Sequence, residues 1–196
     1  MKKVVCYFDG CCEPRNPGGN MGYGAIVEID GEQVLGHSGF DEAAPTNTNN
    51  ISEYKALEVV LDFLIDNDLT KEDITIKGDS QLAIRQMLGE YGMNSGGYVP
   101  YAQRCLLKIS QLNKKPKLQW IPREQNEKAD ELSKGVLIAK TGYNEDALQF
   151  GKYKGKLISE IEDIQYLKWA LKEVKMQKGI QQKIQNRITQ YEFLSK

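Results

Sequence analysis

Histidine is nearly missing from this chain of 196 residues, and His37 stands alone. One imidazole excludes a multi-histidine metal centre and gives little basis for Ser-His-Asp chemistry. Cysteine is also sparse. Cys6, Cys11, Cys12 and Cys105 form no C-x-x-C pair, which removes the usual thiolate zinc site. No apolar run is long enough to span a bilayer, so no membrane partner is expected. Met1-Lys2-Lys3 leads into only a few apolar residues before Asp9, unlike the apolar core of a secretory leader. The expected setting is therefore cytoplasmic, with reduced thiols. If the chain is an enzyme, carboxylates must carry its chemistry. The length suits one sizeable domain with a small appendage.

The net charge of −1 hides an asymmetry. Residues 150–196 hold ten Lys and Arg against five Asp and Glu, a net of +5. The remainder, with 16 against 22, stands at −6. An acidic body beside a basic tail points to a polyanionic partner, with cations offsetting the acidic site. The plainer reading is a helical surface with many solvated lysines.

The stretch Val4–Gly10 reads as a short buried strand that carries Asp9 to its carboxyl end, where Gly10 frees the backbone for a sharp exit. Asp9 is either a turn-starting aspartate or a metal ligand, and the second reading needs partners elsewhere. Residues 11–20 are rich in turn formers. Gly22–Ile29 and Gln33–Phe40 flank Asp30-Gly31, a strong hairpin signal, and complete an antiparallel meander.

A polar loop over 41–50 precedes a helix opened by Ser52-Glu53, with Ala56, Leu57, Val60, Leu61 and Leu64 as its buried stripe. Glu53 lies in the expected first turn, where complementing the helix dipole is the simpler explanation. Ile74–Asp79 is the next strand. It again ends on an aspartate, followed by Ser80 as N-cap and a short helix over 81–88. A glycine-rich connection over 89–99, a helix over 100–112 and a strand over 117–122 follow. The last helix of this part places Ala129, Leu132 and Val136 inward and Asp130 early; alone, Asp130 reads as a solvated charge. Two strand–helix–strand passages add parallel pairing to the meander, giving an α/β fold with a mixed five-stranded sheet flanked by helices. Ligands of such sheets bind beyond the carboxyl ends of the parallel strands, where Asp9 and Asp79 both fall.

Four stretches together resemble ribonuclease H of the type 1 class: Asp9-Gly10, the T-N-N-x-x-E of 48–53, the G-D-S-Q of 78–81 and the R-E-x-N-x-x-A-D of 123–130. The resemblance covers about residues 1–138. It implies the mixed sheet just described and endonucleolytic hydrolysis of the RNA strand of an RNA/DNA hybrid, leaving 5′-phosphate and 3′-hydroxyl ends. It also implies that Asp9, Glu53, Asp79 and Asp130 are the catalytic, metal-binding carboxylates. Gly10, Cys12, Asn16, Asn49, Asn50 and Gln81 match positions at the hybrid, with Cys12 in a loop one residue longer than usual. An all-oxygen ligand set suits Mg²⁺, or Mn²⁺ in its place, and two ions with substrate support an in-line displacement. Polar side chains reading 2′-hydroxyls in the minor groove separate RNA from DNA. Two departures are visible. The loop Pro122–Gln125 lacks the histidine many members carry, leaving Arg123 as the nearest substitute. Residues 89–99 are too short, and too poor in Lys and Arg, for the basic protrusion of some members, which places the chain in the protrusion-free branch.

Two domains joined by a linker are expected: a catalytic domain over 1–140, a linker over 141–149 and a small basic helical domain over 150–196. Phe150–Lys156, F-G-K-Y-K-G-K, together with Trp169, resembles a small C-terminal domain of exonuclease-X-like proteins. Ile161, Ile164, Leu167 and Leu171 form one helical stripe; Ile180, Ile184, Ile188 and Tyr191 form another. Lys152, Lys154 and Lys156 are candidate nucleic-acid contacts. The competing reading of the helices is docking to a protein partner or self-association.

Two other functions fit the sequence less well. A 3′–5′ exonuclease of related fold needs Asp-x-Glu on its first strand, and Asp9 is followed by Gly10-Cys11. A silent hybrid-binding module is disfavoured by the presence of all four carboxylates.

Overall fold

Val4, Cys6 and Phe8 are fully buried and alternate with the partly exposed Val5 and Tyr7 in β1 (Lys3–Glu13). That alternation seats one face of the strand on the main core. The computed structural model describes residues 1–176 and 178–194. β1 does not end at Gly10 as expected. It runs on to Glu13 because β2 (Asn20–Ile29) pairs with it along its whole length, from Val4 opposite Ile29 to Glu13 opposite Asn20.

β2 and β3 (Glu32–Asp41) are joined by Asp30-Gly31. Both residues adopt positive φ, 53° and 91°, as a two-residue hairpin of this twist requires. β4 (Asp73–Gly78) and β5 (Lys117–Trp120) pair in parallel, and β4 lies parallel to β1. The order β3-β2-β1-β4-β5 is the expected mixed five-stranded sheet.

α1 (Asn49–Asp66) begins earlier than expected. Thr48 is its N-cap, with Oγ1 accepting from the Ile51 amide at 3.2 Å. Glu53 therefore sits in the second turn, beyond the free amides, and the dipole explanation lapses. α1 and α3 (Val99–Gln111) share a core with β1 and β4 that includes Phe8, Leu57, Leu61, Ile76 and Cys105. Glu58 of α1 accepts from Arg104 at 2.8 and 2.9 Å and from Lys108 at 3.0 Å, tying the two helices at their rim. Ser80 caps α2 (Gln81–Met87), as expected.

The opposite sheet face receives α4 (Glu127–Thr141), which a 3-10 turn over Arg123–Gln125 leads into. Its buried residues are Ala129, Ser133 and Leu137, a strict four-residue spacing, whereas Leu132 and Val136 are only half-buried. The helix rests on glycines of β2: a Cβ on Gly24 would lie 2.4 Å from the Ala129 carbonyl oxygen.

The chain divides between Thr141 and Gly142. The second unit, residues 142–196, takes in most of the stretch expected as a linker. Leu148 is fully buried there, its amide donates to the Lys156 carbonyl at 2.9 Å, and Ala147 bridges Leu157. α5 (Ile164–Glu173) and α6 (Lys178–Leu194) turn their stripes into one core with Leu148 and Ile161. Ile161 is buried but precedes α5, and Tyr191 is 42% exposed, outside the α6 stripe. Among the described residues no helix is long and apolar enough to cross a membrane.

Candidate active site

Gly10 lets α1 come down onto β1. A Cβ there would lie 2.3 Å from the Glu53 amide nitrogen and 2.4 Å from the Ser52 carbonyl carbon, so no side chain fits. The contact carries Glu53 to the point in β1 where the parallel pairing with β4 stops and Asp9 sits. Asp79 follows β4 directly, and β4 runs parallel beside β1, with Gly78 next to Phe8. Three elements therefore deliver three carboxylates to one place. Asp9, Glu53 and Asp79 each offer an oxygen, and these oxygens lie within 4.8 Å of one another.

The cluster is poorly hydrated. Asp9 is 5% and Glu53 9% exposed. Burial is the largest influence on Asp9 and pushes its carboxyl up to about 6; the Ser133 hydrogen bond opposes this, and the charges of Asp79 and Asp130 add to it. Burial, then the charges of Asp9 and Asp79, pushes Glu53 well above the usual carboxylate range. Glu53 Oε2 is buried without a hydrogen-bond partner. A buried, unpartnered carboxylate oxygen on a residue of this cluster matches a hard divalent cation such as Mg²⁺ or Mn²⁺ by ligand type, and among the described residues only oxygen donors form the cluster.

Two polar residues outside the sequence expectation hold the cluster in place. The Ser133 hydroxyl donates to Asp9 Oδ2 and lies 3.0 Å from the Asp130 carbonyl. Asn126 is 1% exposed, and its Nδ2 donates to the Phe8 carbonyl at 2.9 Å and to Asp79 Oδ1 at 2.7 Å. It thus clips β1 at Phe8 to Asp79. The only advance signal for Ser133 was a small polar residue four positions after Ala129. Asn126 lay inside the quoted motif without a role. Asn126→Ala should lower thermal stability by about 2–3 kcal/mol, because it leaves a buried carbonyl and a carboxylate oxygen unpaired. Calorimetry checks this.

Asp130 is not one of the three clustered carboxylates. It is bonded to Arg123 Nη2 and lies 3.2 Å from Lys134 Nζ. Arg123, with its side chain 58% exposed, is thus placed at the rim. Asn16 and Asn49 come together where the loop after β1 meets the start of α1: the Asn49 amide donates to Asn16 Oδ1 at 3.2 Å. Asn50 is half-buried in that first turn, and Gln81 is exposed at the start of α2. Cys12 was expected in a loop but lies within β1, 1% exposed, with Sγ 3.3 Å from the Arg15 carbonyl. Gly10 is likewise covered, by α1. All four cysteines are buried and unpaired. Burial pushes the Cys11 thiol up to about 12, which leaves no reactive thiolate there near neutral pH.

A family profile described as reverse transcriptase-like matches residues 7–136. A curated relative, Ribonuclease HI of Halobacterium salinarum, is 31% identical over 140 residues, covering 69% of this chain and 64% of its own length. The chain spans only 58% and 64% of the first two curated relatives it matches. Among solved structures, the N-terminal RNase H domain of rv2228c from Mycobacterium tuberculosis is 26% identical, with a TM-score of 0.62 over 73% of this chain and 100% of that one. LC11-RNase H1, isolated from compost by a metagenomic approach, was solved in complex with an RNA/DNA hybrid; it is 26% identical, with a TM-score of 0.60 over 67% and 94%.

Proposed function

The chain belongs to the reverse transcriptase-like family and has the type 1 ribonuclease H fold, and from that premise we propose that it hydrolyses the RNA strand of RNA/DNA hybrids. The observation that carries the proposal is the convergence of Asp9, Glu53 and Asp79, oxygens within 4.8 Å, from three separate elements. Buried carboxylates whose charges raise one another's pKa are a costly arrangement without cations. A relative with this fold was solved with an RNA/DNA hybrid, which supports the substrate class.

Asp9, Glu53 and Asp79 would hold Mg²⁺, or Mn²⁺ in its place, with Asp130 as a fourth carboxylate once released from Arg123 and Lys134. Two ions held there would supply an activated water and charge stabilisation for the leaving 3′-oxygen, giving 5′-phosphate and 3′-hydroxyl ends. The chain's own residues supply the positioning. Ser133 keeps the Asp9 carboxylate oriented, and Asn126 fixes Asp79 against β1. Asn16, Asn49, Asn50 and Gln81 present amide groups that suit 2′-hydroxyls and base edges of the minor groove. Arg123 supplies a cation for a backbone phosphate near Asp130. A cytoplasmic location belongs to the same proposal.

Cleavage of a strand-labelled hybrid with Mg²⁺, Mn²⁺ or EDTA tests it. The expected result is internal cuts in the RNA strand alone, supported by either metal and lost in EDTA. Hybrid binding without cutting under either metal would point instead to a binding module.

A further inference from the structure

We propose that the C-terminal unit binds single-stranded nucleic acid, stacking a base on Trp169 and holding phosphates with Lys154 and Lys156. This goes beyond the hydrolytic reading and uses none of the clustered carboxylates, so each can fail without the other.

The F-G-K-Y-K-G-K stretch folds into a turn pinned onto α5. Gly151 has φ +66°, and the Tyr166 hydroxyl occupies the place a Cβ would take there, 1.9 Å away. Asp163 is the hub of the turn. Its Oδ1 accepts from the Tyr166 amide at 2.9 Å, capping α5, while Oδ2 accepts from Lys152 Nζ at 2.7 Å and the Tyr153 hydroxyl at 3.1 Å. Lys152, its side chain 57% exposed, is held at the turn by that pair and lies over the rings of Tyr153 at 4.8 Å and Tyr166 at 5.2 Å. Named from sequence as a candidate nucleic-acid contact, it is tied to Asp163 and helps build the platform.

The rings continue outward. Tyr153 meets Tyr166 edge-on at 5.0 Å, and Tyr166 backs Trp169 at 5.3 Å. Trp169 is 50% exposed. A large ring supported from behind and open in front loses little freedom when a flat partner stacks on it.

Charge selects the partner. Residues 150–196 carry a net of +5. Lys152, Lys168, Lys172 and Lys183 all have carboxylate partners, whereas Lys154 and Lys156 are exposed and make no ion pair among the described residues. An acidic peptide would use the lysines but leave the ring idle, and an apolar protein surface would use the ring but strand the lysines. A nucleic-acid strand, with π-faces on a charged backbone, uses both.

The test is fluorescence anisotropy of a labelled oligo-dT or oligo-U of roughly 12 nucleotides with the full chain, in EDTA to block cleavage, across a salt series. Trp169→Ala should weaken binding about tenfold, and Trp169→Phe should retain most of it. The double variant Lys154→Ala, Lys156→Ala should reduce the slope of log K against log salt by about 1.4. These lysines are exposed, so the double variant decides the matter even if Trp169→Ala disturbs the fold. Unchanged affinity and salt slope in the variants would overturn the proposal, and so would loss of self-association or of protein binding with nucleic-acid affinity intact.

Discussion

Asp9→Asn is expected to reduce cleavage on the order of 10³-fold or more while making the metal-free protein more stable. The activity loss follows from removing a charged ligand oxygen at the centre of the cluster. The gain in stability follows from linkage. The folded pKa of Asp9, about 6, lies above the value of 3.8 for an unperturbed carboxyl. Between those values the unfolded chain has already released the proton that the folded chain still holds. Stability therefore falls as pH rises from about 4 to about 6, and the loss is complete above that window. The rise from 3.8 to about 6 corresponds to about 3 kcal/mol at neutral pH, less whatever the Ser133 hydrogen bond loses on substitution. Melting without metal at pH 7 should show the variant several degrees above wild type, with the two converging near pH 4. Adding Mg²⁺ should raise the wild type and leave the variant nearly unmoved. A variant less stable than wild type at pH 7 without metal would contradict this account of the cluster.

Gly10→Ala should damage both stability and activity. Its Cβ would fall 2.3 Å from the Glu53 amide nitrogen, a backbone atom that cannot swing aside. The helix must lift, and overpacking of this kind costs about 1–3 kcal/mol. Lifting α1 carries Glu53 away from Asp9, and a displacement near 1 Å costs roughly 10²-fold in rate. Gly31→Ala is the informative comparison. It strains a φ of +91° in a hairpin turn with nothing nearby to strike, so stability should drop while activity per folded molecule persists. Full cleavage by Gly10→Ala would show that Glu53 does not need its present approach.

Much of the first unit, residues 1–141, was legible in the sequence because its signals are local. Asp30-Gly31 announces a hairpin by its backbone preferences, and aspartates 9 and 79 follow strand-like runs whose parallel pairing then fixes their common end. What escaped depends on partners distant along the chain. Gly10 looked like an exit from β1, yet it is glycine because α1 lies on it. Thr48 caps α1, so the helix starts ahead of the expected Ser52-Glu53 opening, inside a stretch whose Thr and Asn residues read locally as loop. Ser133 and Asn126 gain their meaning only from Asp9, Phe8 and Asp79 across the fold. Residues 141–149 look like a linker because their polar residues mask Ala147 and Leu148, which are buried beside a bridge from Ala147 to Leu157.

The scattered origin of the three carboxylates also bears on kinetics. Asp9, Glu53 and Asp79 come from β1, the start of α1 and the end of β4, so their crowding exists only once strand pairing and helix docking are both complete. A partly formed nucleus feels little of that repulsion, and a cation finds little there to bind. Charge crowding in the cluster therefore acts mainly on the rate at which the native state opens, and a divalent ion bound to it prolongs the native lifetime more than it hastens folding.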